Sequence, residues 1–104
     1  MTPQFLLFDY SEGADDTGLF EAMAAVLPAQ AATVEAEIAA VLDWASGQFG
    51  APAPVEDGGD WHAELQLAEE ADGSGAARRV FSLSLAGSAA FCAAFAARFG
   101  DAVA

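Results

Sequence analysis

Residues 61–67 read WHAELQL, and apolar and polar side chains alternate along them without interruption. Alternation with a period of two is typical of a β-strand that has one face on a core and the other in solvent. Residues 80–85 read VFSLSL and repeat the pattern, with Phe81, Leu83 and Leu85 on one side. The intervening residues 69–75 are rich in glycine and acidic residues, which favour a turn. The two runs therefore predict a β-hairpin.

A helix is predicted to end each half of the chain. Over residues 29–49, apolar side chains recur at the 3.6-residue period of an amphipathic helix, and Gly47 and Gly50 favour its end. Ser88 suits the N-cap of a second helix over residues 88–99, where phenylalanines recur every four residues. We expect a shared core that includes Ile38, Leu42, Phe81, Leu83, Phe91 and Phe95.

The first half of the chain contains one clear strand and one ambiguous segment. Residues 4–10 read QFLLFDY, an apolar run of strand length that favours burial in the middle of a sheet. Residues 19–27 fit both helical spacing and strand alternation. The turn-rich residues before them and Pro28 after them favour a strand. A helix there would instead give a three-stranded βααββα fold.

These elements predict one α+β domain over residues 1–104, with the order ββαββα. Its two halves, residues 4–50 and 60–100, form a pseudo-repeat joined by a linker rich in proline, glycine and acidic residues. We expect a four-stranded, mainly antiparallel sheet with both helices on one face. The strand order 2-1-3-4 would place the apolar first strand inside the sheet with a single right-handed crossover.

The charge excludes several classes of partner. Sixteen acidic residues oppose three basic ones, for a formal net charge of −13. Binding to nucleic acid or to anionic membranes is not expected, because both depend on lysine and arginine. No run of residues reaches the length of a membrane span or resembles a signal peptide, and one cysteine cannot form an internal disulfide. We expect a cytoplasmic protein.

No residues form a convincing catalytic, cofactor or metal site. Cys92 and His62 are the only thiol and imidazole. Cys92 lies on the phenylalanine stripe of its helix, which favours a buried structural thiol, and His62 lies on the polar side of its strand beside Glu64. Three acidic clusters lack the spacing of a calcium loop, so solvated turns are expected. These clusters are Glu12, Asp15 and Asp16; Glu56, Asp57 and Asp60; and Glu69, Glu70 and Asp72.

The sheet face without helices is the expected interaction surface. Apolar residues of the first strand are predicted to lie on it, either Phe5 and Leu7 or the set Leu6, Phe8 and Tyr10. A second subunit or the long loops would have to cover them. With the polar side of the second hairpin, the candidate interface consists of Leu6, Phe8, Tyr10, His62, Glu64 and Gln66.

The sequence favours a non-catalytic protein-interaction module whose partner is a second copy of itself, in a homodimer, or another protein. One alternative is a small-molecule-binding protein or enzyme, with a pocket between sheet and helices lined by Tyr10, Trp44, Trp61 and His62. Another is an acidic adaptor that mimics nucleic acid and binds a basic protein, an idea that rests on the charge of −13 alone.

Overall fold

The predicted order of strands and helices is confirmed. The structure, a computed structural model, describes residues 4–13, 16–71, 73, 75 and 77–103, with Glu56 described by its backbone alone. The strands are β1 (Phe8–Glu12), β2 (Gly18–Val26), β3 (Trp61–Ala71) and β4 (Ala77–Gly87). The helices are α1 (Ala31–Phe49), which follows a short 3-10 turn at Pro28–Gln30, and α2 (Ala89–Phe99).

The four strands form one antiparallel sheet in the order β1-β2-β4-β3. The predicted order 2-1-3-4 is wrong, because β1 lies at an edge. The apolar run that suggested a central strand is only partly in the sheet: β1 starts at Phe8, and Leu6 enters the core from the segment before it. The rest of β1 consists of Asp9, Tyr10, Ser11 and Glu12, and all four are exposed, as suits an edge strand.

The ambiguous segment is a strand, as predicted. Along β2, buried and exposed residues alternate, with Phe20, Ala22, Ala24 and Val26 facing the core. Although alanine favours helix in isolation, β2 pairs with β1 on one side and β4 on the other. Ladder hydrogen bonds on both sides, together with burial of one face, outweigh a preference of a few tenths of a kcal/mol per residue.

Both helices pack on one face of the sheet, which we call the helix side; the opposite face is the outer face. The predicted core is confirmed, with Leu42 half-buried against it and the other five residues buried. Ser88 is the N-cap of α2, and its hydroxyl accepts a hydrogen bond from the Phe91 N–H at 3.2 Å. Within the described part of the chain, no helix is long and apolar enough to cross a membrane.

A buried glutamate fixes the segment before β1. Glu37 of α1 is 4% exposed, and its carboxylate accepts hydrogen bonds from the backbone N–H groups of Phe5 and Leu6 at 3.0 and 3.2 Å. These bonds replace the water that the carboxylate loses on burial. The segment is therefore tied to the middle of α1, and Leu6 is directed into the core.

Candidate interaction surface

The six candidate interface residues do not share one surface. Leu6 and Phe8 are buried, 2% and 0% exposed, and the Tyr10 ring packs on the helix side against Phe20 with centroids 4.9 Å apart. His62 and Gln66 lie on the outer face, in register with Ala86 and Ser82 of β4. The reason is the position of Phe8, which pairs with the core-facing Ala22 and so directs the apolar residues of β1 inward.

The outer face is mainly polar, contrary to the expectation that either Phe5 and Leu7 or the set Leu6, Phe8 and Tyr10 would lie on it. Asp9 pairs with Glu21, which pairs with Ser84, which pairs with Glu64, so one row across all four strands carries three carboxylates. Phe5 is half-buried against the core, whereas Leu7, just before β1, is 58% exposed. Met23, at 68%, is the most exposed large apolar side chain on this face. The four strands therefore present no extended apolar patch on the outer face.

Exposed apolar side chains instead lie at the far end of β3, on the helix side. Leu65 is 43% and Leu67 61% exposed, whereas their β4 partners Leu83 and Phe81 are each 1% exposed. From Glu64 onward every described side chain of β3 is exposed. The helices thus cover β4 but leave most of β3 open.

The backbone of β3 is also open along its outer edge. Ser88 N–H donates to the Asp60 carbonyl at 2.9 Å, which makes Trp61 and Gly87 a non-hydrogen-bonded pair. The Trp61 carbonyl therefore points away from β4, and it accepts a hydrogen bond from Ala53 N–H at 2.9 Å. By the two-residue period, the N–H and C=O groups of the later odd-numbered residues point outward as well.

We call this open stretch, His62 to Ala71, the β3 edge. Its outward backbone groups belong to Ala63, Leu65, Leu67, Glu69 and Ala71, and no other described segment hydrogen-bonds to them. The register with β4 runs from Trp61 to Ala71 without a bulge, and the stretch contains neither lysine nor proline. Lysine, proline and a bulge, three devices that commonly block an edge strand, are thus missing from the β3 edge, and its charged side chains are carboxylates.

Charges are distributed along both faces of the β3 edge. His62, Glu64 and Glu70 lie on the outer face. On the helix side, Glu69 lies opposite Arg79, with an ion-pair distance of 3.9 Å between two well-exposed side chains. A strand that binds here must place its own charges in a compatible order, so the carboxylates select for register.

A second candidate site is a groove between β1 and α2, which we call the Tyr10–Cys92 groove. Its apolar part has a volume of about 440 Å³ and is lined by Tyr10, Phe20, Cys92, Ala93, Ala96 and Val103. Gly18 makes the arrangement possible, because a Cβ atom there would lie 2.6 Å from both the Cys92 sulfur and the Tyr10 ring. This groove is not the pocket that was predicted from the sequence, because only Tyr10 of the four predicted lining residues lines it.

The chemistry of Cys92 does not favour nucleophilic catalysis. The thiol is partly rather than fully buried, and its sulfur lies 3.7 Å from the Gly87 carbonyl oxygen. Burial raises the pKa of Cys92 above its ordinary value, although hydrogen bonds from the Tyr10 side chain and the Gly18 backbone act in the opposite direction. At neutral pH the group is a protonated thiol, which is a poor nucleophile. His62 lies on the other face of the sheet and cannot serve as its base.

The two tryptophans belong to the core. The Trp44 ring contacts four phenylalanine rings at centroid distances of 5.2 to 6.3 Å. Trp61 is 2% exposed, stacks on Phe91, and donates its indole N–H to the Gly50 carbonyl at 3.0 Å. The Trp61 ring is therefore unavailable to a ligand, and the half-buried Trp44 ring is occupied mainly by its phenylalanine contacts.

Metal binding finds no support among the described residues, where no group of three or more histidine, cysteine, aspartate or glutamate side chains is close enough to hold an ion. Asp15 and Asp72 of the acidic clusters lie outside the described residues.

The sequence analysis did not predict that the β3 edge is unpaired or that its leucines are exposed. Leu65 and Leu67 alternate correctly toward the core, but an eleven-residue strand is about 37 Å long, whereas the nineteen-residue α1 spans about 28 Å. The molecule accordingly measures 45 × 26 × 24 Å. The strand predicted over residues 61–67 is shorter than the helix predicted over residues 29–49, so the predicted lengths did not indicate that these leucines would be uncovered.

Comparison with known proteins identifies no relative: no family model, no curated protein and no solved structure matches this chain.

Proposed function

We propose that this chain is a non-catalytic protein-interaction module that accepts an additional β-strand at the β3 edge and forms a homodimer in the cytoplasm. The observation that carries the proposal is the row of outward backbone groups beside the exposed Leu65 and Leu67. Main-chain hydrogen bonds would supply affinity, and burial of the two leucines would add to it. The single thiol is compatible with a reducing compartment.

The charge pattern supports a protein partner. Binding of phosphate-rich ligands would require cations, and the chain has only three arginines. The protonated Cys92 thiol and its distance from His62 across the sheet support the absence of nucleophilic catalysis. A strand-binding edge needs none of these groups.

The test compares two substitutions at exposed apolar positions in tagged protein expressed in its native host and cross-linked before recovery. Leu67→Lys changes the β3 edge, and the control Met23→Lys changes the outer face of β2. We expect the wild type and Met23→Lys to recover the same protein partner, including an untagged copy of the chain, and Leu67→Lys to lose it. Retention by Leu67→Lys, or equal loss by both variants, would contradict the proposal. Recovery of a basic nucleic-acid-binding protein regardless of either substitution would favour the acidic-mimic alternative.

The second candidate function is small-molecule binding in the Tyr10–Cys92 groove, favoured by its volume of about 440 Å³ and apolar lining. Its polar end is formed by Glu12, Asp16 and Thr17 together with Tyr10. A neutral or cationic amphipathic molecule would fit this distribution. Native mass spectrometry of protein purified from its host should show a bound small molecule that is lost when Ala96→Trp fills the groove. A wild-type mass equal to that of the chain alone, measured after gentle desolvation, would contradict this function.

A further inference from the structure

The β3 edge is complementary to itself. When two copies are aligned antiparallel with Gln66 opposite Gln66, residue numbers of each pair sum to 132, so Leu65 faces Leu67 of the second copy. The same alignment places His62 opposite Glu70 of the second copy. Because the axis is twofold, each of these contacts occurs twice.

We infer that the strand accepted at the β3 edge is β3 of a second copy, paired about a twofold axis through Gln66 and perpendicular to the sheet. The inference rests on the proposed function and names its partner. The result is a continuous eight-stranded sheet with all four helices on one side. Four leucines that are exposed in one copy then pack together on the helix side.

The backbone supports this register. Leu65 and Leu67 direct their N–H and C=O groups outward, so each facing Leu65 and Leu67 pair exchanges two hydrogen bonds. Gln66 bonds to β4 and forms a non-hydrogen-bonded pair with its copy, where opposite Cα atoms lie about 4.5 Å apart. The pairing runs from His62 to Glu70 and stops before Trp61, whose carbonyl already accepts from Ala53.

Neighbouring registers are less favourable. An axis through Leu67 would place Glu64 opposite Glu70 of the second copy, and like charges that face each other across strands are destabilising. An axis through Leu65 would bring Glu69 of the second copy onto Trp61, where Ala53 already occupies the edge. The Gln66 axis avoids both conflicts and pairs an imidazole with a carboxylate at each end.

The net charge of −13 per copy opposes the dimer. Added salt screens this repulsion between largely exposed carboxylates, so the dimer should tighten as ionic strength rises.

Sedimentation equilibrium of the full chain at micromolar concentration, at low and high salt, tests association. We expect a dimer for the wild type, at least tenfold weaker dimerisation for Leu67→Glu, and recovery of most of the loss in the double variant Leu65→Lys with Leu67→Glu. Only the Gln66 register sets each new lysine opposite a new glutamate of the other copy. A monomeric wild type at both salt concentrations would overturn the inference, and so would a dimer that is insensitive to Leu67→Glu or not rescued by the double variant.

A disulfide measures the register directly. In a Cys92→Ser background, Gln66→Cys should form a covalent dimer on mild oxidation because the two new thiols face each other. The matched control Glu64→Cys lies on the same face, but its two copies would be about 14 Å apart along the strands. Equal cross-linking of both variants, or none in Gln66→Cys, would overturn the Gln66 register.

Circular dichroism and thermal melting of every variant show whether it is folded. Failure of self-association would remove the homodimer from the proposed function and leave the strand-binding edge to be decided by the host-cell test. If a monomeric chain binds a different protein there and Leu67→Lys abolishes that binding, the strand-binding edge stands without a second copy.

Discussion

The two edges of the sheet are built in opposite ways. β1 has five residues, its Phe8 forms a parallel bridge with Val103, and the Phe8 ring lies 5.1 Å from that of Phe95 on α2. β3 has eleven residues, and beyond Trp61 its outward backbone groups meet no other described segment. The β1 edge is thus closed at Phe8 by the chain itself, and the β3 edge is the one at which we propose that a partner binds.

The difference raises the question of which strands the β3 edge would accept. Proteins commonly protect edges with lysine, proline or a bulge, and β3 has none of these in its uninterrupted register. It does carry Glu64, Glu69 and Glu70. These carboxylates destabilise any register in which acidic side chains of the added strand lie opposite them. Registers in which they face neutral or basic side chains remain open. On the proposed function, these charges would restrict the β3 edge to strands of compatible charge order.

Truncation of a large apolar side chain should be most damaging at the closed edge. Phe95 is 0% exposed, and its ring lies 4.2 Å from Phe20 as well as close to Phe8. Phe95→Ala should lower the free energy of unfolding by about 3 to 5 kcal/mol, because it removes contacts and leaves a cavity. Leu67→Ala, at 61% exposure on the β3 edge, should cost less than about 0.5 kcal/mol in the monomer.

Urea unfolding followed by circular dichroism, at concentrations low enough to populate the monomer, measures both values. Similar losses for the two variants would erase the distinction between a closed edge and an open one.

The sequence predicted element types better than their arrangement. Alternation identified β3 and β4, and the 3.6-residue period identified α1, because each pattern reports locally which side chains face the core. The edge position of β1 was not predictable from its apolar run, since Leu6 is buried through the Glu37 contacts to the preceding backbone. The Tyr10–Cys92 groove also depends on contacts between residues distant in the chain. Such tertiary contacts leave no periodic signal.

Glycine substitution should give a smaller effect that sharpens the description of the closed edge. A Cβ atom on Gly18 would lie 2.6 Å from the Cys92 sulfur and from a carbon of the Tyr10 ring. Gly18→Ala should therefore destabilise the fold by about 1 to 3 kcal/mol through overpacking. Cys92→Ala in the same chain should recover part of the loss.

Gly47 of α1 is the matched control, because no atom lies within 4 Å of a Cβ placed there. Gly47→Ala should raise the free energy of unfolding by about 0.5 to 1 kcal/mol, as expected for alanine in a helix. A neutral Gly18→Ala would show that Tyr10 and Cys92 can move apart freely, and that β1 is less tightly closed than described.

The smallest effect concerns alkaline pH. The chain has no lysine, one cysteine and one tyrosine, so Cys92 and Tyr10 are the only side chains with ordinary pKa values between about 8 and 11. Burial raises the pKa of Cys92, and burial followed by the charges of Cys92 and Glu12 raises the pKa of Tyr10.

The folded state thus holds both protons to higher pH than the unfolded chain does. The resulting stabilisation is complete below the unfolded pKa values and is lost as pH rises through the folded ones. Between pH 7.5 and 10.5 the wild type should therefore lose more unfolding free energy than the Tyr10→Phe, Cys92→Ala double variant, by a modest amount because both groups are partly exposed. Urea titrations of both proteins across this range measure the difference, and identical pH profiles would show that the pair at the closed edge titrates as it does in the unfolded chain.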